Sequence, residues 1–106
     1  MTIRDFQEAN RVRNERFPGT SREWTVLEWA AALCGEAGEA ANFAKKIRRG
    51  LAVDLTQDLR VALAKELADV VSYCALLASH QNIDLEAACR EKFNEVAAKH
   101  GMPDRI

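Results

Sequence analysis

The sequence contains few residues of the kinds that interrupt helices. Two prolines and five glycines occur among 106 residues, and a proline inside a helix costs about 3 kcal/mol. Stretches in which polar and apolar residues alternate, as they do in β-strands, are also missing. We therefore predict an all-α fold, and the length predicts one domain over residues 1–106.

Other features that the sequence lacks limit its partners. The net charge is −1, with 15 basic and 16 acidic residues, so the basic field typical of a nucleic-acid binder is missing. No apolar run approaches the roughly 20 residues of a membrane span, and the first residues lack the apolar segment of a signal peptide. Cys34, Cys74 and Cys89 form no CxxC pair, which fits a reducing compartment. We expect a cytoplasmic protein that binds neither nucleic acid polymers nor membranes.

Apolar periodicity and capping residues predict four helices, over residues 3–15, 26–48, 56–80 and from near 84 to 100. Thr2 with Asp5 predicts a capping box for the first helix, and Thr25 with Glu28 does so for the second. Gly50 is a candidate C-cap for the second helix.

Asp54 or Thr56 is the candidate cap of the third helix. We expect the second and third helices to pair in antiparallel fashion. Because one copy would leave apolar faces uncovered, we also expect a homodimer or a homotetramer.

Acidic residues interrupt the apolar faces of two predicted helices. At about 100° per residue, Glu36 lies within the apolar stripe of the second helix and Glu39 at its edge. Glu66 and Asp69 repeat this arrangement on the third helix. If the two stripes pack together, four carboxylates converge.

Four unpaired carboxylates repel one another, and a hard divalent cation would remove that repulsion. Oxygen ligands suit Mg²⁺, with Mn²⁺ as a substitute, and the lack of His and Cys argues against zinc. The pattern also allows ordinary exposed acids, or salt bridges to Lys45, Lys46 or Arg49. Gly35 and Gly38 flank the first pair, which suggests close packing or access for a ligand.

The acidic pairs lie within the stretches "GEAGEA" and "KELADVVSYCALLA", which resemble the MazG-like all-α nucleoside triphosphate pyrophosphatases. The likeness covers about residues 20–98 and follows that superfamily's ExxE, gap, ExxD pattern. It implies a four-helix MazG-like bundle completed by homo-oligomerisation. It also implies hydrolysis of a (deoxy)nucleoside triphosphate to the monophosphate and pyrophosphate, as in housecleaning of the nucleotide pool. The metal ligands it implies are Glu36, Glu39, Glu66 and Asp69.

The resemblance implies further roles. Tyr73 matches a tyrosine that contacts phosphate in the dCTP-cleaving branch, and Lys92 and Asn94 stand near the positions of a nucleotide-binding Lys and Asn, with a different spacing. Some dUTP-cleaving relatives activate water with an extra Glu where this chain has Gly35. The resemblance then implies that one of the motif acids is the general base, or that the metal alone activates the water. We assign the orientation of the attacking water to Glu36 or Glu39 and the anchoring of the metal to Glu66 and Asp69.

Helical position adds further candidates. Lys46 follows Glu39 by one to two turns and could reach a phosphate, or it could only complement the helix dipole. Trp29, and Trp24 and Phe17 before it, could contact the base, or they could be core aromatics. Asn10, on the apolar side of the first helix, could bind a base or satisfy a helix end.

Two alternative functions stay open at this stage. Phosphoribosyl-ATP pyrophosphohydrolase is a related activity on the same metal scaffold. The other is a non-catalytic, dimeric helical module that binds nucleotide or metal and regulates another process.

Overall fold

A computed structural model describes residues 1–50 and 58–106. Over these ranges the chain forms four α-helices, one short 3₁₀ helix and no β-strand, which confirms the all-α prediction. The helices are α1 (Ile3–Arg16), α2 (Val26–Arg48), α3 (Leu59–His80) and α4 (Leu85–Lys99), and the 3₁₀ helix is Ser21–Glu23. No helix within the described ranges combines the length and the apolar character that crossing a membrane requires.

Local hydrogen bonds fix the start of α1 as the sequence predicts, and at α2 they form one half of the predicted capping box. Thr2 and Asp5 form a reciprocal capping box. The Thr25 side chain accepts a hydrogen bond from the backbone N–H of Glu28 at the start of α2. Such caps satisfy N–H groups that have no partner inside a helix.

The connection between α2 and α3 is described only at its two ends. Gly50 follows α2 with φ 61°, a left-handed conformation that favours glycine at helix ends. The predicted caps Asp54 and Thr56, and the predicted helical residues 56 and 57, lie outside the described residues. The prediction that Asp58 is helical was wrong: its backbone is extended, and its side chain caps α3 by accepting a hydrogen bond from the N–H of Arg60.

The helices α2 and α3 pack against each other and run in opposite directions. The ring of Trp29, early in α2, lies 6.2 Å from the ring of Tyr73, late in α3. Further along α2, Glu39 lies beside Glu66, which comes earlier in α3. The buried side chains of these two helices are small apart from Trp29: Ala40, Ala62, Ala75 and Ala78. Small side chains allow the two helices to approach closely.

Polar side chains of α1 attach α4 to the rest of the chain. The Gln7 amide nitrogen donates to the carbonyl oxygen of Ile83 over 2.7 Å, and its oxygen accepts from the N–H of Leu85 over 3.0 Å. The Arg4 guanidinium forms ion pairs with two acids at the start of α4, which are Asp84 and Glu86. The position of α4 therefore depends on α1.

The core is small for a chain of this length. Among the described residues the buried apolar side chains are Trp29 and five alanines, and no large side chain is fully buried. By contrast, Leu27 is 76% exposed and Leu67 is 51% exposed. The radius of gyration is 16.7 Å, against about 13 Å for a compact domain of this size. One copy therefore leaves much apolar surface uncovered.

Candidate functional site

Carboxylates from α2 and α3 meet where these helices pack. Glu36, Glu39 and Glu66 each place one oxygen so that the three oxygens lie within 4.8 Å of one another. The first two share a face of α2 because they are three residues apart. Asp69 follows Glu66 by one turn, and its charge repels both Glu36 and Glu66. We call these four residues the acidic cluster.

Crowding changes the protonation of the acidic cluster. Burial is the main cause that raises the pKa of Glu36, and repulsion from Glu39 and Asp69 adds to it. The pKa of Glu66 is also raised, first because its protonated form can donate a hydrogen bond to the Glu39 carboxylate, then by burial and by repulsion. Unless a cation neutralises the cluster, Glu36 and Glu66 therefore keep their protons to higher pH than ordinary glutamates do.

The acidic cluster lacks basic partners in the described part of the chain. No Lys or Arg there forms an ion pair with any of its four residues. The salt bridges to Lys45, Lys46 or Arg49 that the sequence allowed are therefore not formed within the described ranges. The Oε2 atom of Glu66 is buried without a hydrogen-bond partner, which is unfavourable for a polar atom. Carboxylate oxygens alone form a ligand set that suits a hard divalent cation.

A cavity of about 400 Å³ adjoins the acidic cluster, and Asp69 forms part of its wall. Four aromatic side chains line it: Phe17, Trp24, Trp29 and Tyr73. The rings of Trp24 and Trp29 pack edge to face with centres 4.7 Å apart. Because this volume is typical of small-molecule sites, the cavity could receive an apolar, ring-shaped group beside the carboxylates.

Lys46 lies away from this cavity. Its Nζ stands 4.9 Å above the ring of Phe43 on the same helix, and it is not part of the cavity wall. The structure therefore places it beyond the acidic cluster along α2, without a contact that assigns it to a phosphate.

Lys92 and Asn94 make their contacts elsewhere. The Lys92 side chain is 67% exposed and pairs with Glu95 on α4. The Asn94 amide binds the backbone of Ile106 twice, donating to its carbonyl and accepting from its N–H. Neither residue lines the cavity, so a single copy does not bring them to the acidic cluster.

The α1 side of the cavity includes residues that the sequence pattern did not single out. Asn10, Arg13, Asn14 and Phe17 all line it, and of these Asn10 and Phe17 were candidates. Their spacing of three and four residues is the signal of one helix face. Because most are polar, the same pattern is typical of a face in solvent, and only the packing of α1 on α3 distinguishes the two cases.

Comparison with known proteins shows that the chain is similar in sequence to a phage protein. No family model matches the chain, and no solved structure matches it. The chain is 39% identical over 67 residues to the Gene 37 protein of Mycobacterium phage L5, and the match covers 63% of this chain and 59% of the phage protein. The chain thus spans about three fifths of that relative's length, and the relative's name states no activity.

Proposed function

We propose that this protein is a Mg²⁺-dependent nucleoside triphosphate pyrophosphohydrolase. It cleaves a (deoxy)nucleoside triphosphate to the monophosphate and pyrophosphate and serves in housecleaning of the nucleotide pool. The observation that carries this proposal is the adjacency of the acidic cluster and the aromatic cavity. The carboxylates of Glu36, Glu39 and Glu66 meet, and Asp69, one turn after Glu66, lines the cavity. The doubled acidic motif and its resemblance to the MazG-like pyrophosphatases support the same reading.

The acidic cluster fits a hard divalent cation. Its donors are carboxylate oxygens, it has no ion-paired Lys or Arg among the described residues, and the buried Oε2 of Glu66 has no partner. The four residues of the cluster would hold Mg²⁺, or Mn²⁺ in its place. When bound, the cation supplies charge neutralisation for the triphosphate and a more acidic water.

Residues around the cavity position the two ends of the substrate. Trp24 and Trp29 offer apolar surface to the base, and packing against both Trp24 and Tyr73 fixes the Trp29 indole. The Tyr73 hydroxyl would donate a hydrogen bond to a phosphate oxygen near Asp69. Glu36 or Glu39 orients the attacking water and accepts its proton.

A homodimer, or a dimer of dimers, would complete the site. The exposed apolar side chains and the extended shape of one copy support this part of the proposal. Lys92 and Asn94 would then reach a nucleotide from the neighbouring subunit, and Asn94 would have to release Ile106 to do so. Light scattering coupled to gel filtration tests the assembly, and a monomer at micromolar concentration contradicts it.

The activity is tested by incubating the protein with Mg²⁺ and a panel of ribo- and deoxynucleoside triphosphates, with phosphoribosyl-ATP added to the panel. Pyrophosphate and monophosphate are quantified together. We expect both products in equal amounts from at least one nucleoside triphosphate. Pyrophosphate from phosphoribosyl-ATP alone would assign the related activity, whereas nucleotide binding without any product would favour a non-catalytic module.

Two variants test the assigned roles. Glu39→Gln and Asp69→Asn should lose activity because each removes a charged ligand from the acidic cluster. Glu8→Gln makes the same chemical change on α1, where the Glu8 side chain is 59% exposed and pairs with Arg11, and should keep activity. Full activity in both cluster variants contradicts the proposed roles.

A further inference from the structure

Asn10 is a buried polar residue in the wall of the cavity, and both ends of its side-chain amide form a hydrogen bond within α1. It is 4% exposed. Its Nδ2 donates to the carbonyl oxygen of Phe6 over 2.8 Å, and its Oδ1 accepts from Nη2 of Arg13 over 3.0 Å. A carbonyl only accepts and a guanidinium only donates, so these partners fix the orientation of the amide. Asn10 therefore holds the Arg13 guanidinium in place.

Arg13 brings uncommitted donors to the cavity. It lines the wall, and the bond to Asn10 accounts for one of its five N–H groups. No acid in the described part of the chain forms an ion pair with it, whereas Arg11, two residues earlier, pairs with Glu8 and Glu15. The Arg13 guanidinium is held by Asn10 and keeps N–H groups that can donate hydrogen bonds into the cavity. It is therefore suited to a ligand that carries hydrogen-bond acceptors.

The packing of α1 on α3 places these donors far from the acidic cluster. Gln7 contacts Ser79 of α3 over 3.3 Å, and Asn10 follows Gln7 by nearly one turn. Leu76, one turn before Ser79, shares the cavity wall with Asn10. It lies two turns after Asp69, which is about 10 Å along the helix axis. If phosphates lie at the acidic cluster, as the proposed function requires, the Arg13 end of the cavity receives the base.

We infer that Arg13 reads the base, and that it selects guanine or cytosine over adenine, thymine and uracil. This inference rests on the proposed function, in which the ligand is a nucleotide. The planar fork of a guanidinium matches two adjacent acceptors. Guanine offers O6 and N7, and cytosine offers O2 and N3. Adenine places an amino group beside each accessible ring acceptor, and thymine and uracil place N3–H between their two carbonyls. Asn10 is the positioning residue for Arg13.

The activity test compares kcat/KM for dGTP, dCTP, dATP and dTTP. Wild-type protein should favour the first two by about tenfold or more, the discrimination expected of a bidentate contact. Arg13→Lys keeps the charge but loses the fork, so it should bring the four values to within a few fold of one another. Asn10→Ala should reduce the preference in the same direction. Arg16→Lys makes the same change at a position on α1 outside the cavity and should leave the preference unchanged.

A binding test separates base reading from catalysis. The four deoxynucleoside monophosphates are titrated calorimetrically into wild type and Arg13→Lys in buffer with Mg²⁺. A preference for dGMP and dCMP that disappears in Arg13→Lys supports base reading even when no triphosphate is hydrolysed, in which case the proposed function fails alone. Equal binding of all four, binding of none, or an unchanged preference in Arg13→Lys overturns the inference. Circular dichroism checks that each variant is folded, and because Arg13 is exposed its substitution tests the inference even if Asn10→Ala does not fold.

Discussion

Replacing Glu66 with glutamine should remove the stabilisation of this protein by Mg²⁺. A ligand that binds only the folded state stabilises it by about 2.7 kcal/mol at a hundredfold excess over its Kd. For a chain of 106 residues this corresponds to about 10–20 °C in Tm. Glu66→Gln replaces one of the three carboxylates whose oxygens lie within 4.8 Å of one another. Most of the Mg²⁺-dependent rise in Tm should therefore be lost.

Without metal, the same substitution should have the opposite effect. The pKa of Glu66 is raised because its protonated form can donate a hydrogen bond to Glu39. Burial, and repulsion from the charges of Glu39, Asp69 and Glu36, also disfavour the charged form of Glu66. A neutral amide of nearly the same shape relieves the repulsion. In the presence of a chelator, Glu66→Gln should therefore be at least as stable as the wild-type protein.

Thermal unfolding, followed by circular dichroism at fixed protein concentration, measures both effects. The wild type, Glu66→Gln and the exposed control Glu8→Gln are compared in chelator and over a titration with MgCl₂. The control should follow the wild type throughout. An equal rise in Tm for the wild type and Glu66→Gln, or no rise for the wild type, refutes the reasoning about the acidic cluster.

Three further predictions follow from contacts in the described residues. In chelator, the raised pKa values of Glu36 and Glu66 mean that the folded state binds more protons than the unfolded state, so their contribution to the free energy of unfolding falls as pH rises above the ordinary carboxyl value of 4.5. Urea unfolding against pH should show the wild type losing stability relative to Glu66→Gln over this range, and a constant difference contradicts it. Trp29→Ala should lower the free energy of unfolding by about 3–5 kcal/mol, because Trp29 is the only large apolar side chain buried in the described ranges. A decrease of less than about 1 kcal/mol, measured by urea unfolding, would show that Trp29 is not the centre of the core. Gln7→Ala should cost about 1–3 kcal/mol and speed amide hydrogen exchange at Leu85, whereas the exposed control Gln81→Ala should do neither.

Apart from the start of α3, the helix ends were the most predictable part of the fold. The bounds of α2 agree with the prediction over residues 26–48, because Thr25 and Gly50 act through neighbouring backbone groups. The proximity of acids from α2 and α3 was also foreseeable, because helical periodicity placed Glu36 and Glu66 within apolar stripes that had to be buried. Such signals are local, and they need no knowledge of how the other helices pack.

The sequence could not place residues whose surroundings depend on packing between distant elements. Arg13 belongs to a polar face that becomes a cavity wall only because α1 lies on α3. Lys92 lies on α4, and within a single chain it forms an ion pair with Glu95 of the same helix. Periodicity identifies which side chains share a face, but it does not state which element, or which subunit, covers that face.

Two buried alanines beside the acidic cluster, one from each helix, set how near its charges can come. Ala40 follows Glu36 by one turn and Ala62 precedes Glu66 by one turn, and both are buried. Their methyl side chains keep the axes of α2 and α3 close together. This short interaxial distance allows the glutamate side chains of the two helices to meet. A valine or leucine at either position would increase the distance between α2 and α3. The carboxylates would then lie further apart, although every acidic residue is unchanged.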